Sequence, residues 1–317
     1  MILVISLQLY LQRAQFVGQD LGESGTVPVH GAHFEAAGGG LVAARTLRDL
    51  GQDVCLISVK GGDTGDLLEK ELYKEGIETS LVESSTPTPM SFRLHGRQRY
   101  GMEVEEYRED PIRVGGEEMR DMLQLFDEEL PGASAVLLCG DSPYPGADML
   151  YSEMLKRGRE AQVPVLARST GDSLLELLRA GPGVLVVRGQ EFSAGAEEMG
   201  VSEEELREHG FAAETGAIVI THGADAVELW THEGGLRLVP PDTRSRGGSA
   251  PGEALSAGML WRLMQGWDLQ PATCFGIAAA TTQSQKPLGG RLSAETIEGF
   301  YRQVRAVTSD EGTWCSE

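Results

Sequence analysis

Residues Gly247 to Gly258 read G-G-S-A-P-G-E-A-L-S-A-G, a small-residue loop running into an apolar helix that continues through Leu260 and Leu263. A polar turn, Asp242-Thr243-Arg244-Ser245, leads into it. A loop of this kind leaves backbone N–H groups at the helix start unpaired, with the positive end of the helix dipole behind them. That arrangement suits an anion, a phosphate above all. The carboxylate in the first helical turn is Glu253, placed where a base could take a proton from an attacking hydroxyl. Ala250 and Gly252 are the backbone candidates for the anion hole, while Pro251 has no N–H to offer and constrains Ala250.

Working outward, apolar runs recur at Ile2–Leu7, Val54–Val59, Ala135–Cys139, Val163–Ala167, Val184–Val187 and Ala217–Thr221. Amphipathic segments alternate with them at Leu41–Leu50, Asp66–Glu75, Gly116–Leu130, Ala147–Ala161 and Ser202–Thr215. This alternation predicts an α/β fold with a mostly parallel central sheet flanked by helices. Two stretches interrupt it, Gly22–Ala36 and Leu81–Tyr107, the second carrying T-P-T-P at Thr86–Pro89. Both are polar and turn-punctuated, and a single small β element could take strands from each. The C-terminal part is expected to be helical over Gly252–Gln265, Pro271–Gln283 and Ser293–Val307. At 317 residues the whole is read as one domain, residues 1–317, with 22–36 and 81–107 inserted in it.

In order along the chain, these motifs resemble the ribokinase-like (PfkB) carbohydrate kinases. The opening stretch is similar to the family's D-T-x-G-A-G-D-A-F-x-A-G, with Glu253 at the position of the catalytic Asp. G-G-G-L-V-A-A-R-T-L-R-D-L-G (Gly38 to Gly51) resembles the Gly-Gly motif and first helix. V-K-G-G-D-T-G-D-L-L (Val59 to Leu68) resembles the next strand and turn, and E-G-I-E-T-S (Glu75 to Ser80) the entry to the lid. Leu130 to Gly146 is nearest to the 1-phosphofructokinase and tagatose-6-phosphate kinase branch, and I-V-I-T-H-G-A-D-A-V (Ile218 to Val227) resembles a segment bordering the nucleotide. The resemblance implies a ribokinase-like sheet with a small β lid over the sugar, and a homodimer formed through that lid. It also implies ATP and Mg2+ acting on a sugar or sugar phosphate. Thr221, Gly223 and Ala224 would border the nucleotide; Gly38, Gly39, Arg93 and Arg97 would serve the substrate; Glu191 is the nearest substitute for a metal-organising glutamate.

The chemistry departs from the family pattern at several of its letters. Glutamate for aspartate moves the base by about 1.5 Å, one methylene, and about 1 Å of misplacement can cost on the order of a hundredfold in rate. The Lys and Asn of the sugar motif fall on Gly39 and Val42; Ser6 to Gln12 holds glutamines but no carboxylate; R-G-Q-E-F (Arg188 to Phe192) replaces N-x-x-E. R-S-T-G-D (Arg168 to Asp172) puts a cation where the family has D-T-S-G. A change of sugar specificity should spare the base and metal letters, so the pattern points to a pseudokinase that keeps ligand or partner-protein binding. An active ATP-dependent sugar-phosphate kinase with Glu253 as base is the alternative, and a purely structural interaction protein the third reading.

The net charge is −21, from 48 acidic and 27 basic residues. That argues against nucleic acid or an anionic membrane as partner, and it opposes ATP unless a local basic patch overrides the global field. Four cysteines with no C-x-x-C pair suit a reducing cytoplasm and are expected to give no metal or disulfide framework. The apolar start, M-I-L-V-I-S-L-Q-L-Y-L, lacks a basic flank and is read as a first buried strand.

Overall fold

The structure is a computed structural model describing residues 1–17, 29–98, 101–140, 146–169, 173–243, 248–286, 291–307 and 312–314. The chain begins with β1 (Ile2–Ile5), every residue of which is buried. Its side chains alternate between two cores. Ile2 and Val4 join one apolar cluster, Leu3 and Ile5 the other. This is the period of a strand buried on both faces.

The lid strands β2 (Tyr10–Val17) and β3 (Val29–Ala37) precede α1 (Gly39–Asp49), β4 (Val54–Lys60), α2 (Gly62–Glu75) and β5 (Glu78–Glu83). Then come β6 (Met90–Gln98), β7 (Gly101–Arg108), α3 (Gly116–Glu129), β8 (Ala135–Leu138), α4 (Ala147–Glu160) and β9 (Val165–Arg168). The second half runs through α5 (Leu174–Ala180), β10 (Val184–Arg188), α6 (Gly189–Met199), α7 (Glu203–Ala212) and β11 (Ala217–Thr221). It closes with β12 (Val227–Thr231), β13 (Gly234–Val239), α8 (Pro251–Met264), α9 (Leu269–Ser284), α10 (Ala294–Tyr301), β14 (Arg305–Val307) and β15 (Gly312–Trp314).

The main sheet has the order β15-β14-β13-β12-β11-β10-β9-β8-β1-β4-β5. From β5 to β11 every neighbouring pair is parallel, with Ile2 beside both Val54 and Ala135, and Val184 beside Ala217. The α/β reading and the parallel pairing of the expected runs hold. Strands β12 to β15 extend the sheet antiparallel. Helices α1, α2, α8 and α9 cover the face of Ile2 and Val4, and α3 to α7 cover the other.

Strand order reverses at β1, which lies between β4 and β8. Such a switch point opens a crevice at the carboxyl ends of the strands. Helix α1 enters it because Gly40 has no side chain: a Cβ there would lie 2.2 Å from the Cβ of Ser6.

The second sheet has the order β3-β2-β6-β7. Three boundaries differ from the sequence expectation. Strand β2 starts at Tyr10, well before the expected segment, and pairs in parallel with β6. Residues Leu81 to Glu83 belong to β5 at the edge of the main sheet, because E-T-S-L-V-E pairs in register with β4. The helix expected over Ser293–Val307 stops at Tyr301, and Arg305–Val307 pairs with β13 instead. Residues 22–28 of the expected lid segment lie outside the described residues.

Candidate phosphoryl-transfer site

The loop before α8 is anchored to α9, since the Gln283 side-chain amide donates to the Ser249 carbonyl at 3.0 Å and the Gly248 N–H to the Ser284 carbonyl at 3.3 Å. Ala250 then turns the chain with φ 51° and ψ 51°, the left-handed region, which a residue with a Cβ rarely adopts and which Pro251 disfavours further. Strain of that sort is of order 1–3 kcal/mol and persists where the surroundings impose it. No side chain caps α8, so its first turn presents backbone N–H groups.

Glu253, in that turn, is 3% exposed. Its carboxylate is wedged between two elements. On one side is Gly39 at the start of α1, where a Cβ would meet Glu253 Oε1 at 2.9 Å. On the other is Arg168 at the end of β9, whose Nε lies 3.1 Å from Glu253 Oε1, both side chains almost wholly buried. The guanidinium rests directly on Gly252, where a Cβ would come within 2.4 Å of its Cζ. The pair is poorly completed: among the described residues Arg168 Nε and Nη1 and Glu253 Oε2 have no hydrogen-bond partner. Cys139, behind the pair, is a buried free thiol whose pKa is pushed up by burial and secondarily by the Glu253 charge.

Two cavities meet at this point. The wider, about 670 Å³, lies over the ends of β10 and β11 and is bordered by Thr221, Gly223, Ala224, Ala250, Gly252, Glu253, Arg168 and Arg188. Its volume suits a small organic ligand. Gly223 has φ 63° with open space around it, so backbone is exposed to anything bound there. The narrower cavity, about 140 Å³, lies between the lid and α1 and is bordered by Gly38, Gly39, Val42, Gln12, Arg93 and again Glu253. Ala250, Glu253 and Arg188 border both.

The sequence-derived candidates therefore divide. Glu253, Ala250 and Gly252 meet at the junction, Thr221, Gly223 and Ala224 border the wide cavity, and Gly38, Gly39 and Arg93 border the narrow one. Arg97 lies on β6, and its side chain is outside the described residues. Glu191 is at the third position of α6, where its carboxylate accepts from the Arg188 N–H at 3.4 Å and from Arg188 Nη1 at 3.5 Å, a helix-capping arrangement. His222 is paired with Glu228 at 3.2 Å across the β11–β12 turn.

Sequence reasoning noted the charge change at Arg168 but did not place it against Glu253, 85 positions away; no local signal links the two. It also missed Arg188 and Arg108, which border the narrow cavity. The arginines of the wide cavity, Arg168 and Arg188, face a single bordering carboxylate among the described residues, Glu253. Both arginines are themselves paired, Arg168 with Glu253 and Arg188 with Glu191.

For a divalent cation the donor set does not fit. Among the described residues no three His, Cys, Asp or Glu side chains gather as a metal-binding group, and Glu253 is already compensated by Arg168. An oxygen-ligated cation needs several such donors or a ligand that brings them.

Comparison with known proteins bears on the fold and the family. The chain is 24% identical over 267 residues to an ATP-dependent 6-phosphofructokinase isozyme 2 of Escherichia coli, covering 81% of this chain and 82% of that one. It is 23% identical over 308 residues to a 1-phosphofructokinase of Haemophilus influenzae, covering 92% and 93%. Among solved structures, phosphofructokinase-2 from Escherichia coli in complex with potassium superposes with TM-score 0.81 at 22% identity, over 95% of this chain and 97% of that one. A carbohydrate kinase from Agrobacterium tumefaciens does so with TM-score 0.70 at 22% identity, over 96% and 99%. The sequence pattern of the pfkB family carbohydrate kinases matches residues 4–296, and the chain belongs to that family.

Proposed function

We propose that this protein keeps a site for a phosphorylated ligand in the kinase architecture, while ATP-dependent phosphoryl transfer to a sugar or sugar phosphate is lost or severely slowed. The observation that carries this reading is the buried pair of Glu253 with Arg168. To take a proton from a hydroxyl, Glu253 has to leave a cation that has no other carboxylate paired with it among the described residues. Breaking one side of a buried pair costs about 3–5 kcal/mol, and each 1.36 kcal/mol on the barrier is about tenfold in rate. The expected slowing is about 10²–10⁴-fold. Val42 at the narrow cavity offers a sugar hydroxyl no hydrogen bond.

The second reading, an active kinase with Glu253 as base, is supported by one observation: Glu253 borders both cavities, as a group between donor and acceptor must. On that reading ATP occupies the wide cavity, a phosphofructokinase-type sugar phosphate the narrow one, and any magnesium is carried on the nucleotide's phosphates. A homodimer through the lid and a cytoplasmic location accompany either reading, and an unidentified protein partner fits the first. Among the described residues no helix is long and apolar enough to cross a membrane.

The test is ADP release by the wild type and by Glu253→Asp/Pro251→Ala, with fructose 1-phosphate, fructose 6-phosphate or tagatose 6-phosphate at millimolar substrate and magnesium. Nucleotide-induced thermal shift is measured in parallel. Binding without turnover in either protein is expected. Substrate-dependent turnover near about one per second in the wild type, an ordinary kinase rate, defeats the first reading and establishes the second. No response of any kind leaves a structural role.

A further inference from the structure

The Arg168–Glu253 pair is incomplete in a specific way. Arg168 is 2% exposed, so its guanidinium has left water, yet Nε and Nη1 donate to nothing among the described residues although Glu253 Oε1 is 3.1 Å away. A guanidinium has five donors in a planar fork and is never deprotonated. A buried ion pair offsets its desolvation only when the remaining donors are satisfied. Arg168 borders the wide cavity, beside the uncapped start of α8, with its guanidinium against Gly252. A group that accepts from Arg168 there also meets the backbone N–H groups of the first turn.

We propose that Arg168 is an oxyanion receptor built into the fold: it exchanges Glu253 for an oxygen of a phosphate or diphosphate group, and its fixed charge replaces a divalent cation at that position. The donor set supports this. The guanidinium borders the wide cavity, and among the described residues no three metal-ligating side chains gather. Glu253 is then a competitor for the anion rather than a partner to it. No bond is made or broken in this exchange. The inference rests on the junction being a ligand site, as proposed above, and is independent of whether turnover survives.

The experiment is isothermal titration of the whole protein with inorganic pyrophosphate in EDTA, repeated in millimolar magnesium, with orthophosphate as a second probe. The wild type is expected to bind pyrophosphate in EDTA, with no gain from magnesium. Glu253→Gln removes the competing charge and should tighten binding several-fold. Arg168→Gln should weaken it at least tenfold. Because Arg168→Gln leaves Glu253 buried without its partner, Arg168→Gln/Glu253→Gln is the second variant: it carries no unpaired charge and should fold, yet not bind. The opposite signs of the two single changes separate a receptor from a core ion pair, which would weaken the fold in both and leave affinity unmoved. Binding that requires magnesium, loss of affinity in Glu253→Gln, wild-type affinity in the double variant, or no pyrophosphate binding by the wild type would each overturn the proposal. Kinase turnover in the wild type would defeat the decayed-kinase reading and leave this result standing.

Discussion

Gly252→Ala puts local propensity and tertiary packing in direct opposition. Position 252 is the second residue of α8 and does not have a positive φ. On helix propensity alone, alanine should stabilise it by about 0.5–1 kcal/mol. The structure predicts the reverse. The new methyl would lie 2.4 Å from Arg168 Cζ, 2.5 Å from Nη2 and 2.6 Å from Nη1. A flexible side chain on the surface would swing away at little cost, but this guanidinium is buried against Glu253. Overpacking a filled site costs about 1–3 kcal/mol, and loosening the pair adds part of the 3–5 kcal/mol associated with breaking it. After the propensity gain is subtracted, a net loss of about 2–4 kcal/mol remains. With an unfolding entropy of about 2.1 cal/mol/K per residue, the 317-residue chain should lose about 3–6 °C in Tm. The assay is thermal and urea unfolding of the variant beside Gly299→Ala. Gly299 lies in α10 with nothing within 4 Å of a built Cβ, so that change should be neutral or stabilising by up to about 1 kcal/mol. An unchanged or raised Tm in Gly252→Ala would refute the placement of Arg168 against the start of α8.

Further outcomes follow from other parts of the molecule. His95 in the lid is buried, and burial first, then Arg93 and His33, lowers its pKa below the usual 6.5. Its unfolded form therefore binds the proton first, so stability is retained above about pH 6.5 and lost as pH falls through the folded pKa; His95→Gln should flatten that part of the pH–Tm curve, and an unaltered curve would refute the assignment. Cys139 is buried and held as the thiol, so it should resist a thiol reagent in the native protein and react only on unfolding; rapid native labelling at Cys139 would contradict its burial. The small lid sheet leaves strand edges exposed, which a second copy can cover; a dimer is expected by light scattering at micromolar concentration, and a strict monomer would refute it.

Several features of this protein are legible along the chain. The runs at Ile2, Val54, Ala135, Val184 and Ala217 are strands in the structure, and all pair in parallel, because a strand covered on both faces needs a continuous apolar segment wherever it lies. The start of α8 is equally local: small residues, a proline at the first helical position and a first-turn carboxylate announce it without reference to any other segment. The lid was only half legible. Strand β2 carries Leu11, Gln12 and Arg13 in mixed order and becomes a strand because β3 and β6 flank it, a pairing no period in the sequence encodes. Arg305–Val307 is too short to declare itself and was absorbed into the preceding helix; the open edge of β13 decides its state.

The tertiary structure alone decided what stands beside Glu253. Strand order brings the end of β9 next to the start of α8, and the reversal at β1 brings the start of α1 to the same point. Arg168, Gly39 and Glu253 come from three distant segments, and nothing in the spacing of any one of them reports the other two. Burial then turns their proximity into chemistry. In water an arginine and a glutamate 3.1 Å apart would interact weakly; out of water the same pair attracts strongly and is held at the junction of two cavities.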